Sequence, residues 1–587
     1  MSDDRFGATP EKNGVTFRLW APGAARVDVM LDMPHAMRAT GDGWFSIHVP
    51  GAGAGSRYRF RIDGDLQVPD PASQFQPEDI SGPSEVLDHH AYRWRANDWR
   101  GRPWEEAIFL EAHVGTFTAT GTYRAMIDRL DHLAATGITA LELMPLADFP
   151  GRRNWGYDGV LWYAPDSSYG RPDELKALID EAHLRGMMVF LDVVYNHFGP
   201  EGNYLGRYAP AFFSPSHTPW GNAIDYRVPQ VRQFAIDNAL YWLRDYRFDG
   251  LRLDAVQAIV EVGEPPLLNE LSRQAGLLAE ATGRTIHLVV ENDDNRAGLL
   301  DPETDPPHGR YRAQWNDDYH HAWHVLLTGE TGDYYRDYPE PQRDIARALG
   351  SGFAYQGEAS AHRGGKLRGE ASGNLPPTAF VSFLQNHDQI GNRALGDRLE
   401  AIAKPAAIEA ALAITLLAPM PPMLFMGEEW GSQTPFPFFC DFKGDLANAV
   451  RQGRRREFQS AYEKYGNEIP DPLNDSTFQL AHLDWNEAES APGRKRLKLV
   501  RDLLTIRRER IVPCLAAIRF GEAHATGDGG LAARWIISDG RSLKLAANLS
   551  ARALPAPASA PSDQPVWGQT PNGTMPPWSV VWTLGGP

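Results

Sequence analysis

The chain has 587 residues and a net charge of −17, with 42% hydrophobic and 23% charged residues. That balance is typical of a soluble globular protein of several domains and argues against nucleic acid as a partner. Two cysteines, Cys440 and Cys514, are too few for a disulfide framework or a cysteine zinc site. No stretch is long and apolar enough to span a bilayer, and the start, MSDDRFGATPEKNG, lacks a signal-peptide core. No membrane partner and a cytoplasmic location are expected.

Residues 1–95 carry short alternating runs, VTFRLWAP, ARVDVML and RYRFRID, parted by Gly and Pro, which predict a small antiparallel β-sandwich. GAGAGS at Gly51 lacks the strand-then-helix setting of a phosphate loop and reads as a turn. From about residue 96 to 515 apolar runs alternate with helical ones. The strand candidates are AIFLEAHV, ITALELMP, MMVFLDVVYNH, FDGLRLDAV, TIHLVVEND, YRAQWNDD, TAFVSFLQNHD and PPMLFMGEEW. Between them, Leu175, Leu178, Ile179 and Ala182 fall on one helical face, as do Ile236, Ala239, Leu240 and Leu243. Pro172 and Gly186 bracket the first of these helices. Eight βα units of continuously apolar strands predict a multidomain α/β protein with a central (β/α)8 TIM barrel. A doubly wound open sheet is the competitor, but no glycine-rich turn follows the first strand. RQGRRREF at Arg451 reads as a solvated helix face. Residues 516–587 hold LAARWIISD, SLKLAANLS and WSVVWTL, which predict a C-terminal antiparallel β-domain, with ALPAPASAPSDQP as a proline-rich surface loop.

Active sites of such barrels are built at the C-terminal ends of the strands. Polar residues recur at those ends here: Glu111 and His113, Glu142, Asp192 with Asn196 and His197, Arg252 with Asp254, Glu291, Asp317 and Asp318, His387 with Asp388, and Glu428. Any one of them has a structural explanation as a cap or an ion pair, but their recurrence at one end of successive strands points to a site. In FDGLRLDAV, Arg252 and Asp254 are two apart and share a strand face. A guanidinium favours the ionised form of a carboxylate that burial would otherwise neutralise, and an ionised, oriented carboxylate is what a covalent nucleophile requires. Glu291 ends the apolar strand HLVVE, where desolvation suits a protonated general acid. Two carboxyls of opposite protonation are the equipment of a retaining glycosidase, which holds them about 5–5.5 Å apart.

DVVYNH, GLRLDAV, VVEND and FLQNHD, in that order and spacing, resemble the four signature segments of the α-amylase (GH13) family of glycoside hydrolases. The resemblance covers the whole chain, including a carbohydrate-binding-like N-terminal sandwich. It implies that Asp254 is the nucleophile, Glu291 the acid/base and Asp388 the third carboxylate. Asp192, His197, Arg252 and His387 match the supporting residues around the −1 sugar, and Tyr157, in NWGYDG, matches the stacking aromatic. Within the family, EAHVGTF, YNHFGPEGNYL, QWNDDYHHAWHVLLTGE, FLQNHDQIGNRALGDRL and LFMGEEWGSQTPFPFFCDF are most like the branch that hydrolyses malto-oligosyltrehalose and releases trehalose. A pocket for a 1,1-linked glucose pair must be polar. Asp317, Asp318, His320, His321, Gln389 and Asn392 are the candidates for it, with Gln257 a further substrate contact.

A metal reading of DYHHAWH, with His320 and His324 four apart, lacks a visible third ligand. The aspartate-rich loops of a calcium site are not evident either. No metal, no cofactor and no obligate protein partner are expected beyond malto-oligosyltrehalose or a related α-glucan. Glycogen branching or debranching is the alternative activity, and a non-catalytic glycan-binding protein the remote one. Product chromatography on trehalose-ended and plain glucans separates the three.

Overall fold

The computed structural model describes residues 6–586 except 219–220, 261–264, 301–310, 557–560 and 570–572. Part of ALPAPASAPSDQP therefore lies outside the described residues. Eight parallel strands close into a barrel in chain order. They are β1 (Phe109–Ala112), β2 (Ala140–Leu143), β3 (Met188–Val193), β4 (Gly250–Leu253), β5 (His287–Val290), β6 (Ala313–Trp315), β7 (Phe380–Phe383) and β8 (Pro422–Phe425). All eight fall within the apolar runs of the sequence, and the open-sheet alternative is excluded by the pairing of β8 with β1.

Inside the barrel Phe109, Ala140, Met188, Phe190, Val289, Ala313, Trp315, Val381, Phe383 and Met423 pack together, closed below by Trp104 and Ala107. Gly250 is required by this packing, because a Cβ there would stand 2.2 Å from the Phe190 ring and 2.4 Å from the His287 carbonyl oxygen. Only a residue without a side chain lets Phe190 fill that space.

The covering helices follow the pattern in the sequence. Pro172–Leu184 starts on a proline, and the Glu174 carboxylate accepts the Arg171 N–H. It buries Leu175, Leu178, Ile179 and Ala182 completely. Pro229–Asp245 buries Ile236, Ala239 and Leu243, with Leu240 only partly covered.

The N-terminal part forms two antiparallel sheets, one around Gly14–Trp20 and Trp44–Pro50, the other around Val27–Met30 and Arg57–Ile62. GAGAGS is a turn, in which Ser56 Oγ accepts the Gly53 N–H at 3.0 Å. The C-terminal part is a five-stranded antiparallel sheet. It docks on the barrel through Trp535 and Trp582, whose stacked indoles donate to the Leu349 and Ala413 carbonyls. No helix among the described residues is long and apolar enough to cross a membrane.

At the base of β4, buried Asp249 collects donors from four elements. It accepts from Trp99 Nε1 at 2.7 Å, His183 Nε2 at 2.8 Å and the Val189 N–H at 2.9 Å, with Arg284 at 3.6 Å. Burial opposes its charge, but His183 and Arg284 hold the carboxyl below its ordinary range. A depressed carboxyl stabilises the fold above its unfolded value and loses that contribution only as pH falls through the folded one. Asp249→Ala should lower stability by roughly 3–5 kcal/mol at neutral pH, since it strands a buried cation and an N–H. Calorimetry reads this as a lowered melting temperature; a wild-type value would show that the hub is dispensable.

Candidate active site

The opening strand of the site is β4, and its interior face reads Gly250, Arg252, Asp254. Arg252 is wholly buried and serves three carboxyls. Its Nη1 donates to Asp192 Oδ2 at 2.6 Å and to Asp254 Oδ1 at 3.1 Å, and its Nη2 donates to Glu291 Oε2 at 2.8 Å. The guanidinium lies 3.9 Å above the Trp315 ring of β6, so its one free face meets π-electron density. One rigid fork therefore fixes the ends of β3, β4 and β5 with respect to one another.

Asp254 accepts on its second oxygen from Asn196 Nδ2, at 2.7 Å. Glu291 Oε2 also accepts the Ala255 N–H, at 2.9 Å. Ala255 reaches it from a left-handed backbone, φ 39°, a conformation that costs a non-glycine residue of order 1 kcal/mol or more. Oε2 is thus taken by two donors, which leaves Oε1 as the oxygen open to a proton. Burial, and after it the charges of Asp254, Asp317 and Asp388, push Glu291 well above the carboxylate range against the pull of Arg252. Burial likewise pushes Asp192 up to about 7 despite Arg252.

Asp388 sits at the start of the short helix His387–Gly391, capped by Asn386. Burial opposes its charge, yet His387, with Nε2 at 3.4 Å, holds it below the usual range. His387 is itself held well above the ordinary histidine value, against burial, by Asp388 and Glu111. The Tyr157 ring stacks on His387 with centroids 5.0 Å apart, and its hydroxyl donates to Asp192 at 2.6 Å. His197 Nε2 bonds the Tyr157 carbonyl at 2.8 Å and so fixes that ring's loop. The side chains of Asp254, Glu291 and Asp388 are 13, 17 and 37% exposed, whereas Arg252 and His387 are at 0 and 1%. Thus Arg252 and His387 are buried and the three carboxyls are partly exposed.

The structure does not bring all the sequence candidates together. Asp318 is withdrawn into the protein. Its oxygens accept from Tyr338, Arg368, Asn295 and the N–H groups of Ala354 and Tyr355, which leaves nothing for a sugar. His320 is also interior, between the Leu384 carbonyl and the Tyr335 hydroxyl. His321 turns its Nδ1 to Tyr338 at 3.1 Å and packs on Tyr334. His324, the other half of the metal reading, bonds Glu330 at 2.7 Å. Glu428 caps the Phe425 N–H at 3.0 Å, beside Arg398 and Glu400 rather than Arg252.

Asp317 does stay with the carboxyls. Burial, then Asp293, and more weakly Asp388, push it up to about 7. Asn392 Nδ2 reaches Asp388 at 3.4 Å, Gln389 is buried beside it, and Gln257 accepts the Asp293 N–H at 3.3 Å. Sequence reasoning missed Trp315 and Ala255. Alternation places Trp315 on the face of Asp317, a signal that was available. Nothing in the sequence marks a left-handed alanine.

The chain matches the model of the α-amylase catalytic domain over residues 112–220. It also matches carbohydrate-binding module 48 (isoamylase N-terminal domain) over 5–72 and a domain of unknown function, DUF3459, over 519–582. It is 42% identical over 510 residues to malto-oligosyltrehalose trehalohydrolase of Deinococcus radiodurans, spanning 86% of this chain and 83% of that protein. To the protein of that name from Saccharolobus solfataricus it is 37% identical over 516 residues, 87% and 88% of the two chains. A Salmonella typhimurium crystal structure assigned to the α-amylases is 44% identical, with a TM-score of 0.94 over 99% of both chains. Pullulanase from Paenibacillus barengoltzii, 20% identical with a TM-score of 0.71 over 100% of this chain and 96% of that one, shares the fold.

Asp318→Ala leaves Arg368 one carboxylate short in a buried setting, which typically costs roughly 3–5 kcal/mol. A lowered melting temperature with maltodextrin binding per folded molecule preserved is expected. Weakened binding at an unchanged melting temperature would return Asp318 to the cleft.

Proposed function

The chain belongs to the malto-oligosyltrehalose trehalohydrolase family, within the α-amylase glycoside hydrolases, and we propose that Asp254, Glu291 and Asp388 carry out its reaction. The enzyme hydrolyses the α-1,4-glucosidic bond next to the terminal trehalose unit of malto-oligosyltrehalose and releases trehalose. The observation that supports these roles is the single buried guanidinium shared by Asp254 and Glu291. It keeps two carboxyls of opposite duty side by side, as a double displacement needs.

Asp254 attacks the anomeric carbon of the −1 glucose while Glu291 delivers its Oε1 proton to the departing glycosidic oxygen. Trehalose leaves from the plus side, and the maltodextrin remains as a glycosyl ester on Asp254. Glu291, now ionised, takes a proton from water, which attacks the same carbon and frees Asp254. Two inversions leave the α-configuration. Asp388 and Arg252 stabilise the cationic sugar and the carboxylates around it, and the Tyr157 ring forms the floor beneath the −1 glucose. Asp317, Gln389 and Asn392 line the plus side, where the two trehalose glucoses must be recognised.

Asp254→Asn and Glu291→Gln should each lower kcat by roughly 10³-fold or more and leave the melting temperature near wild type. A variant keeping more than about a tenth of wild-type kcat would remove that residue from its role. Glu291 acts while protonated and its value is raised, so kcat should persist through neutral pH and fall only as pH rises past that raised value. A limb already falling at mildly acid pH would exclude Glu291 as the acid.

Malto-oligosyltrehalose should give free trehalose and a maltodextrin whose new reducing end appears first as the α-anomer in NMR. Maltodextrins of equal length should be poor substrates, because polar plus-side groups left unpaired reject the analogue. Asp317→Ala should narrow that preference. Efficient transfer to a 6-hydroxyl, or attack on α-1,6 branches with trehalose-ended chains untouched, would move the enzyme to branching or debranching.

A further inference from the structure

Behind Asp388 lies a buried pair that the reaction steps leave unused. Glu111 of β1 and His387 are each 1% exposed at the side chain. Glu111 Oε1 stands 2.5 Å from His387 Nδ1, and Oε2 accepts the His387 backbone N–H at 3.1 Å. The carboxylate thus grips the ring and the main chain of the same residue. On the far side His387 Nε2 lies 3.4 Å from Asp388 Oδ1, an ion-pair distance without a hydrogen bond. Carboxylates beside both ring nitrogens favour the charged form of a histidine.

The other groups around the ring favour their neutral forms or are already paired. Burial pushes Glu142 of β2 well above the carboxylate range, so it is neutral, and its oxygens find no partner among the described residues. Burial keeps His113 neutral, down to about 3, and His320, near Asp388, is likewise held neutral. Tyr157 is un-ionised, while Trp155 and Trp315 present only rings. Arg252 is engaged by Asp192, Asp254 and Glu291.

We propose that Glu111 is a positioning residue of the hydrolysis: it keeps His387 a fixed imidazolium, and that imidazolium holds Asp388 ionised and aimed at the −1 sugar. This rests on the reading of Asp388 as the third carboxylate. Replacing the charge of Glu111 while keeping its shape removes half of what holds the proton on His387. Asp388 is then paired with a neutral ring once pH exceeds the new, lower value, and the cationic transition state loses support.

The test is a titration of the intact enzyme labelled with 13C and 15N at histidine, in wild type and Glu111→Gln, beside kcat and KM from pH 5 to 9. His387 should be charged at neutral pH in the wild type and lose its proton at least about one pH unit lower in Glu111→Gln. In Glu111→Gln kcat should fall at the pH where His387 loses its proton, ahead of the limb set by Glu291, with KM little changed, and Glu111→Asp should restore most of the wild-type profile. A neutral His387 in the wild type at pH 7, or a folded Glu111→Gln whose kcat is unchanged through the pH at which its His387 loses its proton, overturns the proposal. If Glu111→Gln fails to fold, the wild-type titration and the Glu111→Asp profile decide. The resonance of His387 needs no turnover, so it is read independently of whether Asp254 and Glu291 are the catalytic pair.

Discussion

Everything in the cleft depends on one guanidinium held where no water reaches it. Desolvating Arg252 is expensive, and a buried ion pair seldom beats a well-packed apolar replacement. Its retention makes sense only through what it does to its partners. Asp192, Asp254 and Glu291 come from three successive strands, and none touches another through a covalent or local sequence link. The planar fork converts barrel register into carboxyl spacing, and Trp315 below prevents it from dropping into the core. A lysine would supply the charge without the spacing.

The same strand alternation that exposes this arrangement also builds the floor beneath it. On β3, β4 and β5 the inward positions run from apolar to polar along the strand: Phe190 then Asp192, Gly250 then Arg252 then Asp254, Val289 then Glu291. The barrel interior is therefore hydrocarbon at its base and ionic at its mouth, with Gly250 omitting a side chain so that Phe190 can complete the lower layer. The charges sit on a medium that cannot screen them, and this is why burial leads the causes that raise Glu291. His387 and Asp388 repeat the pattern on the opposite wall, cation inside and carboxylate outside.

The barrel, Asp254 and Glu291 were legible in the sequence because they follow short periods, apolar runs of strand length with polar residues at their ends. The third carboxyl, Asp388, came instead from the resemblance of FLQNHD to a family segment. The plus side was not legible. Asp317 and Asp318 are adjacent in QWNDDYHH, yet one stays with the cleft and the other is consumed by Arg368, Tyr338 and two backbone N–H groups. Those partners lie 20 to 50 residues downstream, and no local pattern announces them. The histidines failed in the same way. Polarity alone placed His320 and His321 among the sugar contacts, whereas tyrosines from Asp333–Tyr338 cover them.

That burial of Asp318 has a mechanical meaning. Arg368 holds Asp318 on one side and Asp293 on the other, and Arg363, in the turn between the paired strands Glu358–Ala359 and Leu367–Arg368, pairs with Asp293 and Asp294. Asp293 and Asp294 follow Glu291 by two and three residues, and Gln257 ties Asp293 back to the turn after Asp254. The insertion between β6 and β7 is thus riveted to the loop that follows Glu291. If Glu291 is the acid and this insertion meets the trehalose unit, as proposed above, the two cannot move separately. Binding energy gained two sugars away can then be used in placing Glu291 Oε1, rather than only in holding substrate. Asp318, buried away from the cleft, is the pin of that connection.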